Sequence, residues 1–422
     1  MTNGLAPTPI TVGTATVDSA HGIPLPPATS TTPAPTGIEA ATARSFTAGN
    51  FYRPELDGLR FLAFLAVFVN HTLQFGNRGQ HHLLPDAVGD ALGVLGIMGA
   101  FGVDLFFVLS AYLITALLLR ESQARGLIDV RAFYMRRILR IWPLYFFYLA
   151  FAYVLTFFVT TEHFTFVHLA AFMLFSGNWM YILKPVTTIA APLWSISVEE
   201  QFYLLWPWVV RRATDRKLVM LAALVITTGL VARCGLGSHG AYGDWVTKNS
   251  FTRVDGLAVG ALVAVALGGR IPTFSAAVRR LLFAVGIAIW AWVAADFRLF
   301  DASVPLVALC LGWPLVAIAA ACMLLSVLGG NTPLVRLLQT RAAVYLGRIS
   351  YGLYVFHELG LLVAGRLFPE HDHSGVQWLA HWWFALSLTT LMAAVSYHWL
   401  EQPFLKLKNR RFTFVRSEPV PG

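Results

Sequence analysis

The sequence predicts an all-α protein, a polytopic membrane bundle of about ten transmembrane helices with one re-entrant or half-membrane segment. Of the 422 residues, 57% are hydrophobic and 13% are charged, which leaves too little polar surface for a soluble globule of this length. The apolar residues fall into runs that are long enough, or nearly so, to cross a bilayer. Short basic clusters separate many of these runs, as they do in cytoplasmic loops.

Residues 1–50 precede the apolar part of the chain. They are rich in Pro, Thr and Ala and lack apolar periodicity, so we expect a disordered cytoplasmic tail and no signal peptide. The rest divides into a membrane domain, 51–405, and a basic cytoplasmic tail, 406–422. The apolar runs lie near 59–76, 95–119, 141–159, 167–183, 194–210, 217–235, 251–268, 281–296, 303–328, 347–366 and 377–400.

Basic residues set the orientation of these runs. Residues 160–166 have the composition of an outside loop and 211–217 that of an inside loop, yet two apolar runs lie between them. One of the two runs therefore cannot cross fully. We expect ten spans in the cell's inner membrane with both termini cytoplasmic, and a half-membrane segment within 167–210, most of all in the part carrying Ser195 to Glu200. The loop with Glu370, His371, Asp372 and His373 should face outward.

Charge and cysteine content exclude several function classes. The net charge of +9 falls in loop clusters, so nucleic-acid binding is not expected. The chain lacks a Walker loop, an HExxH motif and a GxSxG motif, which argues against ATP, zinc and a serine nucleophile elbow. The three cysteines lie in predicted spans without paired spacing, which argues against a disulfide framework and a metal site: Cys234, Cys310 and Cys322.

The stretch from Arg53 to His71 combines polar ends with an apolar helix. His71 follows Arg60 by eleven positions, close to three turns, so both share one face about 16 Å apart. An Arg or His exposed to lipid costs about 2.5 kcal/mol or more, so this face should point inward, with Asp57 paired to Arg60. His71 could act as a general base near neutral pH. Alternatively, it could only bond a neighbouring helix.

Residues 193–207 carry a second candidate set. Ser195, Glu199 and Tyr203 recur every four residues, so one helical face would present a hydroxyl, a carboxylate and a phenol. Glu200 lies about 100° round the helix from Glu199, so only one of the two glutamates should share this face. The alternative is an amphipathic helix at the membrane interface, with its glutamates in water.

The motif at 133–145, which opens the predicted span near 141–159, carries Arg136, Arg137 and Arg140. Topology alone explains arginines at a cytoplasmic edge. A functional interpretation is an electropositive mouth for a phosphorylated ligand, because Arg137 and Arg140 can share a face and hold phosphates in bidentate fashion. Further ionisable residues lie at or near span ends, where each could form a structural ion pair: Asp104, the Arg253–Asp255 pair, His357 and Glu401.

Seven ordered motifs resemble the acyltransferase 3 family of membrane O-acyltransferases: RPELDGLRFLAFLAVFVNH, GVDLFFVLSAYLIT, FYMRRILRIWPLY, LWSISVEEQFYLLWP, RVDGLAVGAL, LGRISYGLYVFH and SYHWLEQP. The resemblance covers about residues 51–405. It implies a ten-span bundle that moves an acyl group, usually acetyl from cytoplasmic acetyl-CoA, to a hydroxyl of a carbohydrate or glycoconjugate. Acyl-CoA is then a donor substrate, and no cofactor stays bound. Since no hydrolase-like domain follows Glu401, the bundle is expected to act alone or with a partner.

The resemblance also implies residue roles. The family's Arg-x10-His falls on Arg60 and His71, the implied base, and its Arg-x-x-Arg falls on Arg137 and Arg140, the implied CoA contacts. The family's Ser-Gly-Tyr reads Ser-Ala-Tyr at 110–112, and the added methyl matters only if that helix packs closely on another backbone. The Ser-x-Ser-x-x-Glu signature and its Phe-Tyr fall on Ser195, Ser197, Glu199 or Glu200, Phe202 and Tyr203.

A proton-coupled transporter or flippase of a lipid-linked glycan is the competing prediction, since inward-facing His, Glu and Arg side chains can also relay protons. The lack of internal repeats argues against it, as does the clustering of arginines on one side only. A structural scaffold would not explain so many ionisable groups at membrane depth. The sequence therefore favours an acyl-CoA-dependent O-acyltransferase with His71 as its base.

Overall fold

The computed structural model describes residues 52–76, 86–159, 163–301, 303–368 and 375–412. All regular elements in these ranges are helical, which confirms the all-α fold class. In chain order the helices are α1 (Pro54–Gly76), α2 (Asp86–Ala100), α3 (Gly102–Arg125), α4 (Val130–Leu155), α5 (Phe166–Met173), α6 (Gly177–Leu183), α7 (Leu193–Arg212), α8 (Asp215–Ser238), α9 (Asp244–Thr247), α10 (Asp255–Leu267), α11 (Ala276–Asp296), α12 (Leu306–Val327), α13 (Pro333–Leu338), α14 (Arg341–Arg348), α15 (Ser350–Leu367), α16 (Gly375–Ser396), a π-helical turn (Tyr397–Glu401) and α17 (Gln402–Arg411).

Seven helical stretches in the described residues are long and apolar enough to cross a bilayer: α1, α2 with α3, α4, α8, α11, α12, and α16 through α17. The polytopic membrane class is thus confirmed, while the total of ten spans stays a prediction. The start of the predicted basic tail is helical within α17, which packs on α4. The predictions for 1–50, for 370–373 and for 413–422 lie outside the described residues.

The interruption predicted within 167–210 lies in the first half of that range. Helices α5 and α6 contain only eight and seven residues, so neither can cross a bilayer alone. Between them Phe175 adopts a left-handed φ of 52°. Helix α7 is continuous over 20 residues, a length of about 30 Å. The break coincides with Ser176, Gly177 and Asn178, a turn signal inside the apolar run 167–183. Helix α7, which carries Ser195 to Glu200, is not among the described stretches that are long and apolar enough to cross, so the expectation that it is a half-membrane segment stays a prediction.

Helix α1 is held at both ends. Its first-turn Glu55 accepts a hydrogen bond from the backbone N–H of Gly329 at 3.0 Å, and near its other end the Asn70 amide donates to the Gly96 carbonyl at 2.7 Å. A proline at the first helical position and acidic residues in the first turn favour the helix start. These contacts fix the position of His71, which directly follows Asn70.

Glycines allow close helix packing at several contacts, among them α10 on α3 and α14 on α1. A side chain at Gly260 of α10 would collide with the Val108 carbonyl of α3, and one at Gly347 would collide with the Asp57 carbonyl of α1. A Cβ at position 260 would also lie 3.0 Å from the Cβ of Ala111. In this helix pair the glycine therefore lies on α10, which leaves room for the Ala111 methyl that departs from the family's Ser-Gly-Tyr.

A disulfide joins Cys234 of α8 to Cys310 of α12, with their Cα atoms 6.0 Å apart. The inference that the cysteine spacing argues against a disulfide was therefore wrong for this pair. The two residues are 76 positions apart, and nothing local in the sequence reveals that α8 packs on α12. Among the described cysteines, Cys322 is free.

Candidate active site

A cleft lined by arginines opens between α1, α3, α4, α7 and the start of α15, and we call it the basic cleft. Its cavity volume is about 90 Å³, and it is partly open to the outside. Its apolar wall comes mainly from α3, α4 and α7. Its polar and charged lining residues are Arg60, Ser110, Arg137, Arg140, Ser195, Glu199, Tyr203, Ser350, Tyr351 and Tyr354.

The arginines of the basic cleft differ in their partners. Arg60 pairs with Asp57 one turn away, at 3.8 Å, as expected. Arg137 and Arg140 form no ion pair within 4.0 Å with any described carboxylate. The Arg137 guanidinium lies 5.7 Å from the Tyr203 ring centroid, and its Nε is buried without a hydrogen-bond partner among the described residues. A buried donor left unpaired costs about 1–3 kcal/mol. An anion that accepts a hydrogen bond from Arg137 would remove this cost.

Arg136 has a different role from its neighbours. Its guanidinium pairs with Glu121 at 3.0 Å and donates to the Phe412 carbonyl at 3.1 Å. These contacts tie the start of α4 to α3 and to the end of the described chain. A ligand-binding interpretation of the arginine motif therefore narrows to Arg137 and Arg140, which line the cleft.

Helix α7 separates its two glutamates as its periodicity predicts. The Tyr203 hydroxyl donates to Glu199 at 3.0 Å, and both residues line the basic cleft. Glu200 instead accepts a hydrogen bond from the Trp142 indole at 3.3 Å, and it does not line the cleft. Glu199 is therefore the glutamate that faces the cleft, and the polar face of α7 points into the bundle rather than to a membrane interface.

The two serines of α7 also differ. The Ser195 hydroxyl lines the cleft and is hydrogen-bonded to the Tyr354 hydroxyl at 2.7 Å. The Ser197 hydroxyl is fully buried and donates to the Leu193 carbonyl of its own helix at 3.1 Å. Only Ser195 is placed to contact a ligand in the cleft.

His71 lies outside the basic cleft, in a second polar group that we call the histidine cluster: His71, His357 and Glu358. His71 Nδ1 is 2.9 Å from Glu358 Oε1, and the two imidazole rings have centroids 4.8 Å apart. His71 keeps 31% of its side chain exposed, whereas His357 is fully buried. Because a carboxylate only accepts, Nδ1 of His71 carries a proton, and in the neutral ring Nε2 then has a free lone pair.

Tyr354 separates the two groups. Its hydroxyl is bonded to Ser195 on the cleft side. Its backbone carbonyl lies 2.6 Å from Nδ1 of His357, and its ring centroid is 5.6 Å from that of His357. A ligand that enters the basic cleft therefore meets Tyr354 before it can reach His71.

Asp104, Arg253 and Asp255 belong to two ion pairs that do not line the cleft. Arg253 pairs with Asp104 at 3.0 Å, and Asp255 accepts two hydrogen bonds from Arg233, at 2.5 and 3.1 Å. The predicted pairing of Arg253 with Asp255 is wrong, because Arg253 precedes α10 and its guanidinium turns to Asp104 of α3. It lies 3.7 Å from the ring centroid of Trp313 of α12. Arg233 cannot be identified from the sequence, because its partner Asp255 lies on another helix.

Two other acidic residues, Glu401 and Glu358, also differ in role from what the sequence predicts. Glu401 was singled out from the sequence, yet it accepts a hydrogen bond from Ser396 at 3.3 Å and lines neither the cleft nor the histidine cluster. Glu358 was missed, although it contacts His71. Its position next to His357 was the one available signal.

Comparisons with known proteins give the relatives of this chain. A family profile described as an acyltransferase domain matches residues 53–398. The chain is 26% identical over 390 residues to O-acetyltransferase OatA of Staphylococcus aureus strains NCTC 8325 and COL, which covers 86% of this chain and 59% of OatA. A relative from strain MSSA476 with a provisional O-acetyltransferase name is 25% identical over 388 residues, 84% of this chain and 58% of the relative. The chain thus spans little more than half the length of these relatives. No solved structure matches it.

Proposed function

This chain belongs to the acyltransferase 3 family, and on that premise we propose that it transfers an acetyl group from cytoplasmic acetyl-CoA to a hydroxyl of a carbohydrate or glycoconjugate. It is a multi-pass membrane acyltransferase. The acetyl group is supported by the names of the relatives. In our proposal the membrane is the cell's inner membrane, with both termini in the cytoplasm, which the basic clusters support.

The donor would bind in the basic cleft. The phosphates of CoA are anionic, and Arg137 and Arg140 line the cleft without an ion-pair partner among the described carboxylates. A guanidinium can hold a phosphate through two charge-assisted hydrogen bonds. The pantetheine arm would then extend along α1, past Arg60, toward His71, which lies about 16 Å farther along the helix.

His71 acts as the general base in this proposal, and Glu358 orients it. Nδ1 donates to Glu358, so Nε2 can accept the proton of the acceptor hydroxyl. The acceptor oxygen attacks the thioester carbonyl carbon, the carbon–sulfur bond breaks, and the CoA thiolate takes the proton back from His71. The negative charge of Glu358 stabilises the imidazolium that exists between the two proton transfers.

Groups in the basic cleft would stabilise the developing negative charge on the thioester oxygen. Tyr203 and Ser195 carry hydroxyls that line the cleft, and each would have to turn its one O–H from its present acceptor, Glu199 or the Pro192 carbonyl, toward the thioester oxygen. Glu199 holds the Tyr203 hydroxyl at 3.0 Å. Because these donors and His71 lie on opposite sides of Tyr354, direct transfer requires the thioester to pass that side chain.

The contact of His71 with Glu358, at 2.9 Å, is the observation that carries the proposal. An oriented imidazole with a free nitrogen is what a general base requires. A histidine that only joined two helices would not need to lie near a cleft with unpaired arginines, whereas His71 is separated from such a cleft by Tyr354 alone.

Mass spectrometry of the cell's glycans, with and without the gene, tests the proposed function. We expect an acetyl-sized mass to disappear from one glycan when the gene is deleted, and to return with the wild-type chain or with His239→Gln, which changes an exposed histidine. Identical glycans in both strains would contradict the proposal. A transporter, in turn, would release no free thiol from acetyl-CoA in the presence of the acceptor.

A further inference from the structure

The histidine cluster contains an acceptor that base catalysis leaves unused. Nε2 of His357 is fully buried and has no hydrogen-bond partner among the described residues. Nδ1 of the same ring lies 2.6 Å from the Tyr354 carbonyl. A carbonyl oxygen only accepts, so Nδ1 carries the proton and Nε2 presents a lone pair.

This lone pair faces a carboxylate. His357 Nε2 is 3.8 Å from Glu358 Oε1, the same oxygen that accepts from His71. Two acceptors that face each other, one of them fully buried, are unfavourable unless a donor or a cation lies between them. The arrangement therefore favours a positively charged ligand at the centre of the cluster.

We propose that the histidine cluster binds one zinc ion through His71 Nδ1, His357 Nε2 and Glu358 Oε1. Contacts to the Glu358 oxygen measure 2.9 and 3.8 Å, and the three ligand atoms all lie within 4.8 Å of one another. Tetrahedral zinc with bonds of about 2.0–2.1 Å would separate its ligands by about 3.4 Å, so the two contacts to Glu358 change by about 0.5 Å or less and the separation of the two nitrogens by at most about 1.4 Å. Two histidines and one carboxylate leave the fourth position open for water.

The surroundings of the cluster suit such a site. Metal-binding histidines usually donate their second ring N–H to a carbonyl or carboxylate, and His357 already does so with the Tyr354 carbonyl. The exposed fractions of His71 and Glu358, 31% and 15%, give an ion access to the ligands. A local sequence motif does not predict the site, because His71 lies on α1 and the other two ligands lie on α15.

Zinc at this position would inhibit acyl transfer, a consequence that rests on the proposed function. Coordination at Nδ1 shifts the proton of the His71 ring to Nε2, so the nitrogen proposed as the base loses its lone pair. Glu358 would contact zinc instead of orienting His71. Zinc binding and base catalysis therefore exclude each other, and the enzyme would respond to the free zinc concentration.

Zinc binding is tested with zinc alone, without donor or acceptor. The full chain, purified in detergent and treated with EDTA, competes for zinc with a chromogenic chelator. We expect one zinc per chain and an affinity loss in His357→Gln of at least about 10–100-fold, the range seen when only a second-shell partner is removed. His239→Gln, which changes an exposed histidine, should bind zinc as the wild type does.

Glu358→Gln is the second variant, in case His357→Gln folds poorly by size-exclusion chromatography. It keeps the shape of the side chain and removes its charge, so zinc affinity should fall here as well. Equal zinc affinity in the wild type and both cluster variants would overturn the site. The site would also be overturned if His239→Gln lowered the number of zinc ions bound per chain as much as the cluster variants do.

Activity measurements separate this inference from the proposed function. Zinc should inhibit acetyl transfer by the wild type, and EDTA should restore it. If zinc binds at the cluster and activity is unchanged, the inhibition is refuted and His71 is not the base. If zinc does not bind while His71→Ala is inactive, the proposed function stands and the zinc site is refuted.

Discussion

Two regions of this protein hold arginines inside the helix bundle and partner them in opposite ways: Arg233 and Arg253 are buried, whereas Arg137 and Arg140 are half-buried. In what we call the ion-pair region, Arg253 meets Asp104 at 3.0 Å and Arg233 meets Asp255 at 2.5 Å. In the basic cleft, Arg137 and Arg140 have no such partner among the described carboxylates. A buried arginine that is paired across helices stabilises the fold, whereas an unpaired one beside a cavity is available to a ligand.

The histidine cluster is the first place where this comparison could fail, because His71 is paired with Glu358 as the arginines of the ion-pair region are with their aspartates. If His71 is the base, His71→Ala should lower the rate of acetyl transfer by about 10² to 10⁴. The melting temperature of this variant in detergent should change little, since the His71 side chain is partly exposed. Thiol release from acetyl-CoA in membranes measures the rate, and near-wild-type turnover would make His71 structural.

The ion-pair region should respond in stability. Arg233→Leu leaves the buried Asp255 without its partner, and removing one member of a buried pair costs about 3–5 kcal/mol. Replacing both residues by leucine should recover much of this loss, since no charge then stays unpaired. Thermal unfolding of the variants measures both effects. A single variant as stable as the wild type would show that Arg233 is not structural.

Glu358→Gln tests whether the pair of His71 and Glu358 stabilises the fold or orients a base. The amide can still accept from His71 Nδ1 but cannot stabilise the imidazolium by charge, so we expect a rate about 10–100-fold lower. Unfolding should change far less than in Arg233→Leu. The opposite result, a large loss of stability with an unchanged rate, would place Glu358 among the structural pairs.

Local patterns in the sequence predicted the parts of the site that lie within one helix. The separation of Glu199 from Glu200 follows from helical periodicity alone. The cleft-facing positions of Arg137 and Arg140 follow from their spacing in the same way. Such predictions need no knowledge of which helices are neighbours.

Contacts between distant segments could not be predicted. Glu358 beside His71, Arg233 beside Asp255 and the disulfide of Cys234 all depend on how helices pack. A single sequence carries no signal for these pairings, since each residue is locally unremarkable in type. The break between α5 and α6 lies within the predicted range 167–210 and, unlike these contacts, has a local signal in Ser176, Gly177 and Asn178.

The affinity for acetyl-CoA in matched arginine variants tests the central claim most directly. Arg137→Ala, Arg140→Ala and Arg136→Ala each remove one positive charge from the same helix, but only the first two residues line the cleft, while Arg136 is bound to Glu121. We expect Arg137→Ala and Arg140→Ala to weaken binding by about tenfold, or 1.4 kcal/mol. Binding by these two variants should also depend less on salt than it does in the wild type. Arg136→Ala should bind within about twofold of the wild type, well under 1 kcal/mol. Equal affinity in all three variants would contradict the division between paired and available arginines.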